Sequence, residues 1–266
     1  MATFACAQQP GPNPSFLDRG FAYLYELRFA NAQEEFSAYE RQAPENALGP
    51  AAEAAGILFQ ELNRMGILES QFFADDPSYK TRPRLRPDPG LQRRFDKTLK
   101  RSETLAQMQL ARHNDNQDAL FALTLTSGLR ADYAALVEDR SYPALRLTRE
   151  TTTRARTLLA VCPGCYDAYV GTGIAEYLVG SLSLPSRLIL RVGGYKGDKQ
   201  QGLKDLEFAA EHGQYLGPFA RILLAIAYIR EKQPESARRL LAQLQHDFPQ
   251  NPLFARELAR LDQKER

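Results

Sequence analysis

The chain is 266 residues long, enough to bury a sizeable core, and its 44% hydrophobic and 25% charged residues are those of an ordinary soluble globular protein. Lys and Arg number 34 against 32 for Asp and Glu, a formal charge of +2 that argues against a dedicated nucleic-acid binder. Three cysteines exclude a disulfide scaffold, three scattered histidines leave little for a metal site, and no cofactor is implied. A membrane span needs roughly 18 consecutive apolar residues. The best stretch, 168–190, is interrupted by Glu176, Pro185 and Arg187, so no span is expected.

Residues 1–14 read as a flexible lead rich in Gln, Pro and Gly. Within it Ala5-Cys6-Ala7 fits the small-x-small pattern cleaved by signal peptidase, but without the apolar stretch that precedes such a site. Two readings stay open: the remnant of a signal peptide, with an exported, periplasmic or envelope-associated protein, or a chance match in a cytoplasmic one.

From Phe16 onward the signal is helical periodicity with self-similarity. Phe16, Gly20, Tyr23, Ala32, Phe36 and Pro44 recur at the spacings of the tetratricopeptide pattern, with Phe16 in the Trp slot and Arg19 departing from an apolar one. The small residues let two antiparallel helices approach, the aromatics fill their seam, and Pro44 stops the second helix. A second copy has Leu224, Ala225, Tyr228, Ala237, Leu241 and Pro249 in the same register. Repeats are thus expected at 13–46 and 218–251, with a polar-backed capping helix at 252–263. Between them the pattern loosens. Helices are expected at 51–66 and 91–112, separated by a Pro-rich excursion at 69–90, then at 117–137 and 144–161. A last pair, 168–182 and 199–212, flanks an insertion at 183–198. The expectation is all-α: five helical hairpins plus a cap in one domain, 15–266, with two insertions and no strands.

Gly20/Tyr23/Ala32/Phe36/Pro44 and Tyr228/Ala237/Pro249 make the chain resemble the tetratricopeptide-repeat family. The segment Gly193-Gly194-Tyr195-Lys196-Gly197-Asp198-Lys199, with Gly202-Leu203, is similar to one found in the tetratricopeptide-repeat-protein-39/inclusion-body-clearance group. The ending, from Pro218-Phe219-Ala220-Arg221 to Asn251-Pro252-Leu253-Phe254-Ala255-Arg256, looks most like bacterial repeat proteins, many of them exported. The resemblance implies an α-α superhelix acting as an adaptor, and no reaction.

Four constellations stand out. Cys162-Pro163-Gly164-Cys165 falls in a helix-to-helix turn without the preceding strand of a thioredoxin-like unit. Its thiols are free, joined in a small disulfide, or redox-active. Gly193-Gly194-x-x-Gly197 precedes a helix, as phosphate loops do, but lacks the Gly-Lys-Ser/Thr ending and reads better as a sharp turn. Nine acids against two bases in 31–79 adjoin nine bases against two acids in 80–101. Arg82, Arg84, Arg86, Arg93 and Arg94 therefore form a candidate basic arm for an acidic partner, or fold back on the acidic hairpin. His113, His212 and His246 sit where helices end and read as caps.

The functional expectation is a non-enzymatic scaffold that binds an unidentified protein or peptide on the concave face made by first helices. In the first repeat that face comprises Leu17, Phe21, Leu24 and Tyr25, apolar and suited to an apolar or helical segment, unless a neighbouring helix covers them. The alternatives are a structural part of an envelope assembly and a small-ligand or lipid pocket closed by the insertions.

Overall fold

A computed structural model describes residues 15–68, 85–182 and 197–264. Residues 1–14 with Cys6, expected as a lead, most of the two insertions, Arg82 and Arg84 lie outside the described residues. Among the described residues eleven α-helices follow in chain order: α1 (Phe16–Tyr25), α2 (Phe29–Gln42), α3 (Leu48–Arg64), α4 (Pro89–Arg112), α5 (Gln117–Asp132), α6 (Ser141–Val161), α7 (Tyr169–Gly180), α8 (Lys199–His212), α9 (Gly217–Arg230), α10 (Pro234–Asp247) and α11 (Pro252–Lys264). No strand occurs among the described residues. Each helix packs on the next, so the chain builds up in successive pairs from α1 on α2 to α9 on α10, with α11 laid on α10.

Local chemistry explains where the helices start and stop. Ser15 caps α1 reciprocally with Asp18, its hydroxyl accepting from the Asp18 amide while the Asp18 carboxylate accepts from the Ser15 amide. The α1–α2 pair is tight because Gly20 has no Cβ; one added there would overlap the Phe36 ring, which is fully buried. The α7–α8 pair uses the same device twice, with Gly173 under Leu206 and Gly202 against the Tyr177 backbone. Gly197 sits directly on the Gly180 backbone, so packing accounts for this last glycine of the Gly-rich segment.

The expected register between the two ends extends to the backbone. The α1–α2 turn passes through Leu27 in the left-handed region (φ 61), and the α9–α10 turn through Lys232 (φ 58). Arg28 donates its amide to the Tyr23 carbonyl at 2.8 Å, and Gln233 to that of Tyr228 at 2.8 Å. The connections between pairs repeat as well. The amides of Asn46, Asn116, Cys165 and Asn251 each donate to the carbonyl three residues back, on Ala43, His113, Cys162 and Phe248. In three of these turns the Asn side chain then accepts an amide of the following helix, from Leu48, Ala119 or Leu253. In the fourth, Cys165 replaces the Asn and is joined to Cys162 by a disulfide.

The opposite charge blocks meet within the fold. Glu40 pairs with Arg101, Glu53 with Arg94 at 3.6 Å and Glu45 with Arg112 at 3.2 Å, so acids of the first two pairs face bases of α4. Arg64 also donates to the Arg86 carbonyl at 2.6 Å. Arg94 is therefore paired with an acid of α3, Arg86 is held only through its backbone carbonyl, and Arg93 is an exposed side chain of α4. Among the described residues no helix is long and apolar enough to cross a membrane.

Candidate functional site

The two ends of the chain meet. Phe21 stacks on Tyr215 of the α8–α9 connection at 5.2 Å, and Tyr25 lies 5.4 Å from Phe248 at the end of α10. The Tyr25 hydroxyl donates to the Tyr215 carbonyl at 2.8 Å, and buried Asn251 Nδ2 donates to the Tyr25 carbonyl at 2.8 Å. Gln214 reaches Asp18 at 3.1 Å. Leu17, Phe21, Leu24 and Tyr25 are consequently only 1–4% exposed. Of the two readings of this face, the described residues give the covered one: the aromatic α8–α9 connection and the start of α11 pack on it. Burial pushes the Tyr25 phenol well above its ordinary value.

Closure leaves a chamber inside. Its larger lobe has a volume of about 300 Å³ and its smaller lobe about 80 Å³. Leu24, Tyr25, Phe59, Asp132, Ile174 and Phe219 line both lobes. These side chains come from α1, α3, α5, α7 and α9, the first helices of the five pairs, and α11 adds Leu253 and Phe254 to the larger lobe. The larger lobe reaches solvent where exposed Ala135, Leu178 and Arg230 line it.

The lining is apolar apart from a few groups, and those divide sharply. Asp167, in the 3-10 turn Tyr166–Ala168, accepts the Tyr215 amide at 3.0 Å and the Leu216 amide at 2.8 Å. Burial raises its pKa while these amides pull the other way. Thr124, Thr148 and Thr151 donate their hydroxyls to the carbonyls of Leu120, Ala144 and Leu147, each one helical turn back.

Asp132 differs from all of these. It is the last residue of α5, it is half-buried and lines both lobes, and among the described residues no hydrogen-bond donor or cation reaches its carboxylate. Burial alone pushes its pKa up to about 7. Immediately after it the helix widens into a π turn, Tyr133–Val137, closed by the Glu138 amide on the Tyr133 carbonyl at 3.0 Å. Such π turns recur at functional positions.

The sequence reading missed Asp132. The available signal was a lone acid at the head of an otherwise apolar and aromatic run, 131–137. The other expected sites are dispersed. Cys162 and Cys165 stand on the α6–α7 connection as a disulfide, and neither lines the chamber. His113 is the C-cap of α4, while His212 and His246 lie in the last turns of α8 and α10, where capping was expected. Among the described residues no group of three His, Cys, Asp or Glu is placed to hold a metal ion. No family model and no curated protein matches this chain.

Proposed function

We propose that the protein is a non-enzymatic binding protein of the tetratricopeptide type whose inward face encloses an apolar small molecule. The observation that carries this reading is the chamber itself, walled by the first helix of every pair and open beside Ala135 and Leu178. Its larger lobe, at about 300 Å³, is about twice the roughly 150 Å³ void that takes up benzene or xenon in an engineered core. Apolar walls with few polar groups are the usual form of a small-ligand site. The shared backbone geometry of the α1–α2 and α9–α10 turns supports the tetratricopeptide assignment. Binding is favoured over catalysis because the Thr hydroxyls and Asp167 are committed to backbone groups, which leaves Asp132 without a second reacting partner. The Cys162–Cys165 disulfide supports placing the protein in an oxidising, extracytoplasmic compartment.

A neutral apolar fluorophore, N-phenylnaphthylamine, tests the reading. Its emission is expected to rise saturably with the wild-type protein and to stay near the free-dye level with Ala135→Trp, which places a large ring at the exposed mouth. Equal uptake by a variant that melts like wild type would reject the chamber as the binding site.

A further inference from the structure

The smaller lobe has a one-sided hydrogen-bonding character. Its polar side chains are Tyr25, Thr124, Asp132, Thr148, Thr151 and Asp167. Four of them carry hydroxyls, and every one of those hydrogens is already donated to a backbone carbonyl, on Tyr215, Leu120, Ala144 and Leu147. The two carboxylates have no hydrogen to give when ionised. Among the described residues the wall therefore offers only acceptors, and one of them, Asp132, has no partner there. A ligand group placed there must donate hydrogen bonds, and a positive charge would compensate the buried carboxylate, whose removal from water is already incurred on folding. Beyond Asp132, the larger lobe offers Leu58, Leu62, Ile174, Leu206 and Ile222 to an alkyl chain.

Resting on the chamber reading above, we propose that the ligand is a single-chain amphiphilic amine. Its protonated head donates to Asp132 at the junction of the lobes, and its chain lies in the larger lobe toward Leu178. An anionic head is disfavoured at this point because the smaller lobe holds two acids and no cation. Arg230, the one cation among the described lining residues, stands at the exposed mouth of the larger lobe.

The titratable groups facing the chamber are Tyr25 from α1, Asp132 from α5, Asp167 from the 3-10 turn, Tyr177 from α7 and Arg230 from α9; α3, α4 and α6 contribute none. Of these, Asp132 changes charge near neutrality. An amine that needs the ionised carboxylate should bind about thirtyfold more weakly at about pH 5.5 than at about pH 8, while a neutral alcohol should not respond.

Calorimetric titration of the intact protein with decylamine, decanol and decanoic acid tests this. At about pH 8 the amine is expected to bind at least tenfold tighter than the alcohol, with the acid weakest. Asp132→Asn, checked for folding by its melting curve, should remove both the amine's advantage and its pH response while sparing decanol. Asp132→Leu should do the same. Amine binding no tighter than decanol, or unchanged in Asp132→Asn, overturns the assignment. Preferred binding of decanoic acid overturns it in favour of a head held by Arg230. If none of the three binds while N-phenylnaphthylamine still does, the amine assignment falls and the chamber reading stands. If the fluorophore also fails, both fall.

Discussion

Two regions of the chamber wall hold a carboxylate away from bulk water, and they do so on opposite terms. At the α8–α9 connection, Asp167 receives two backbone amides and fixes the aromatic Tyr215 against Phe21 and Phe121. At the end of α5, Asp132 has no donor among the described residues, and burial alone perturbs it. The first region uses buried charge to hold the two ends of the chain together. The second leaves a buried charge for something the protein itself does not supply. An unpartnered buried acid lowers stability, so one that remains beside an open cavity points to binding, whereas the satisfied one points to architecture.

The largest effect should come from breaking the satisfied region. Asp167→Ala leaves the Tyr215 and Leu216 amides without their acceptor, and a loss of about 3–5 kcal/mol is expected from two charge-assisted bonds and the orphaned donors. Chemical denaturation would measure it; a loss below about 1 kcal/mol would show that the connection holds without the acid.

Asp132→Asn should act in the opposite direction. The folded state raises this acid's pKa to about 7 from 3.8, so the folded protein binds the proton more tightly than the unfolded chain. The stabilisation from that proton is full below about pH 4 and is lost as pH rises through about 7. Each pKa unit corresponds to about 1.4 kcal/mol, so Asp132→Asn is expected to gain up to about 4 kcal/mol over wild type near pH 8 and little near pH 4. Parallel stability–pH profiles for the two proteins would contradict an unpartnered acid.

A smaller effect tests the seam between the ends. Asn251→Ala loses the bond to the Tyr25 carbonyl and the cap on the Leu253 amide. A cost of about 1–2 kcal/mol is expected, read as a lower melting temperature. Because the seam forms one wall of the larger lobe, where Tyr25, Asn251 and Leu253 all lie, uptake of N-phenylnaphthylamine should weaken in the same variant.

Much of the helical layout was legible beforehand because local chemistry decides it. Lys199–His212 begins and ends where the periodicity places it, and the other helices differ from expectation by only a few residues, the α5 expectation excepted. There the pattern ran on to 137, but the α-helix gives way to a π turn at Tyr133, a change of hydrogen-bond partner that apolar spacing does not register. The Pro-Gly turn at 162–165 was visible as a turn, whereas the disulfide required the two thiols to be brought together at its first and fourth positions. Of the partner-binding face, the residues Phe21, Leu24 and Tyr25 were recognised as members of one helix face. Whether they are open or covered stayed undecided, since their burial depends on Tyr215, Phe248 and Asn251, about 190 to 226 residues from Tyr25 in sequence.

The sequence by itself determined a chain of paired helices: the seam residues Gly20 and Phe36, their counterparts Ala225 and Leu241 in the same register, and adjacent blocks of opposite charge. These follow from contacts between neighbouring segments, which spacing and residue size encode. Tertiary structure alone decided that the inward face closes, because closure requires the last helices to return to the first. It also turned Asp132 from one of 32 acidic residues into the unpartnered carboxylate of an apolar chamber. Whether an acid is solvated, bonded or bare depends on what surrounds it in space, and the surroundings of Asp132 come from five helices spread along the chain.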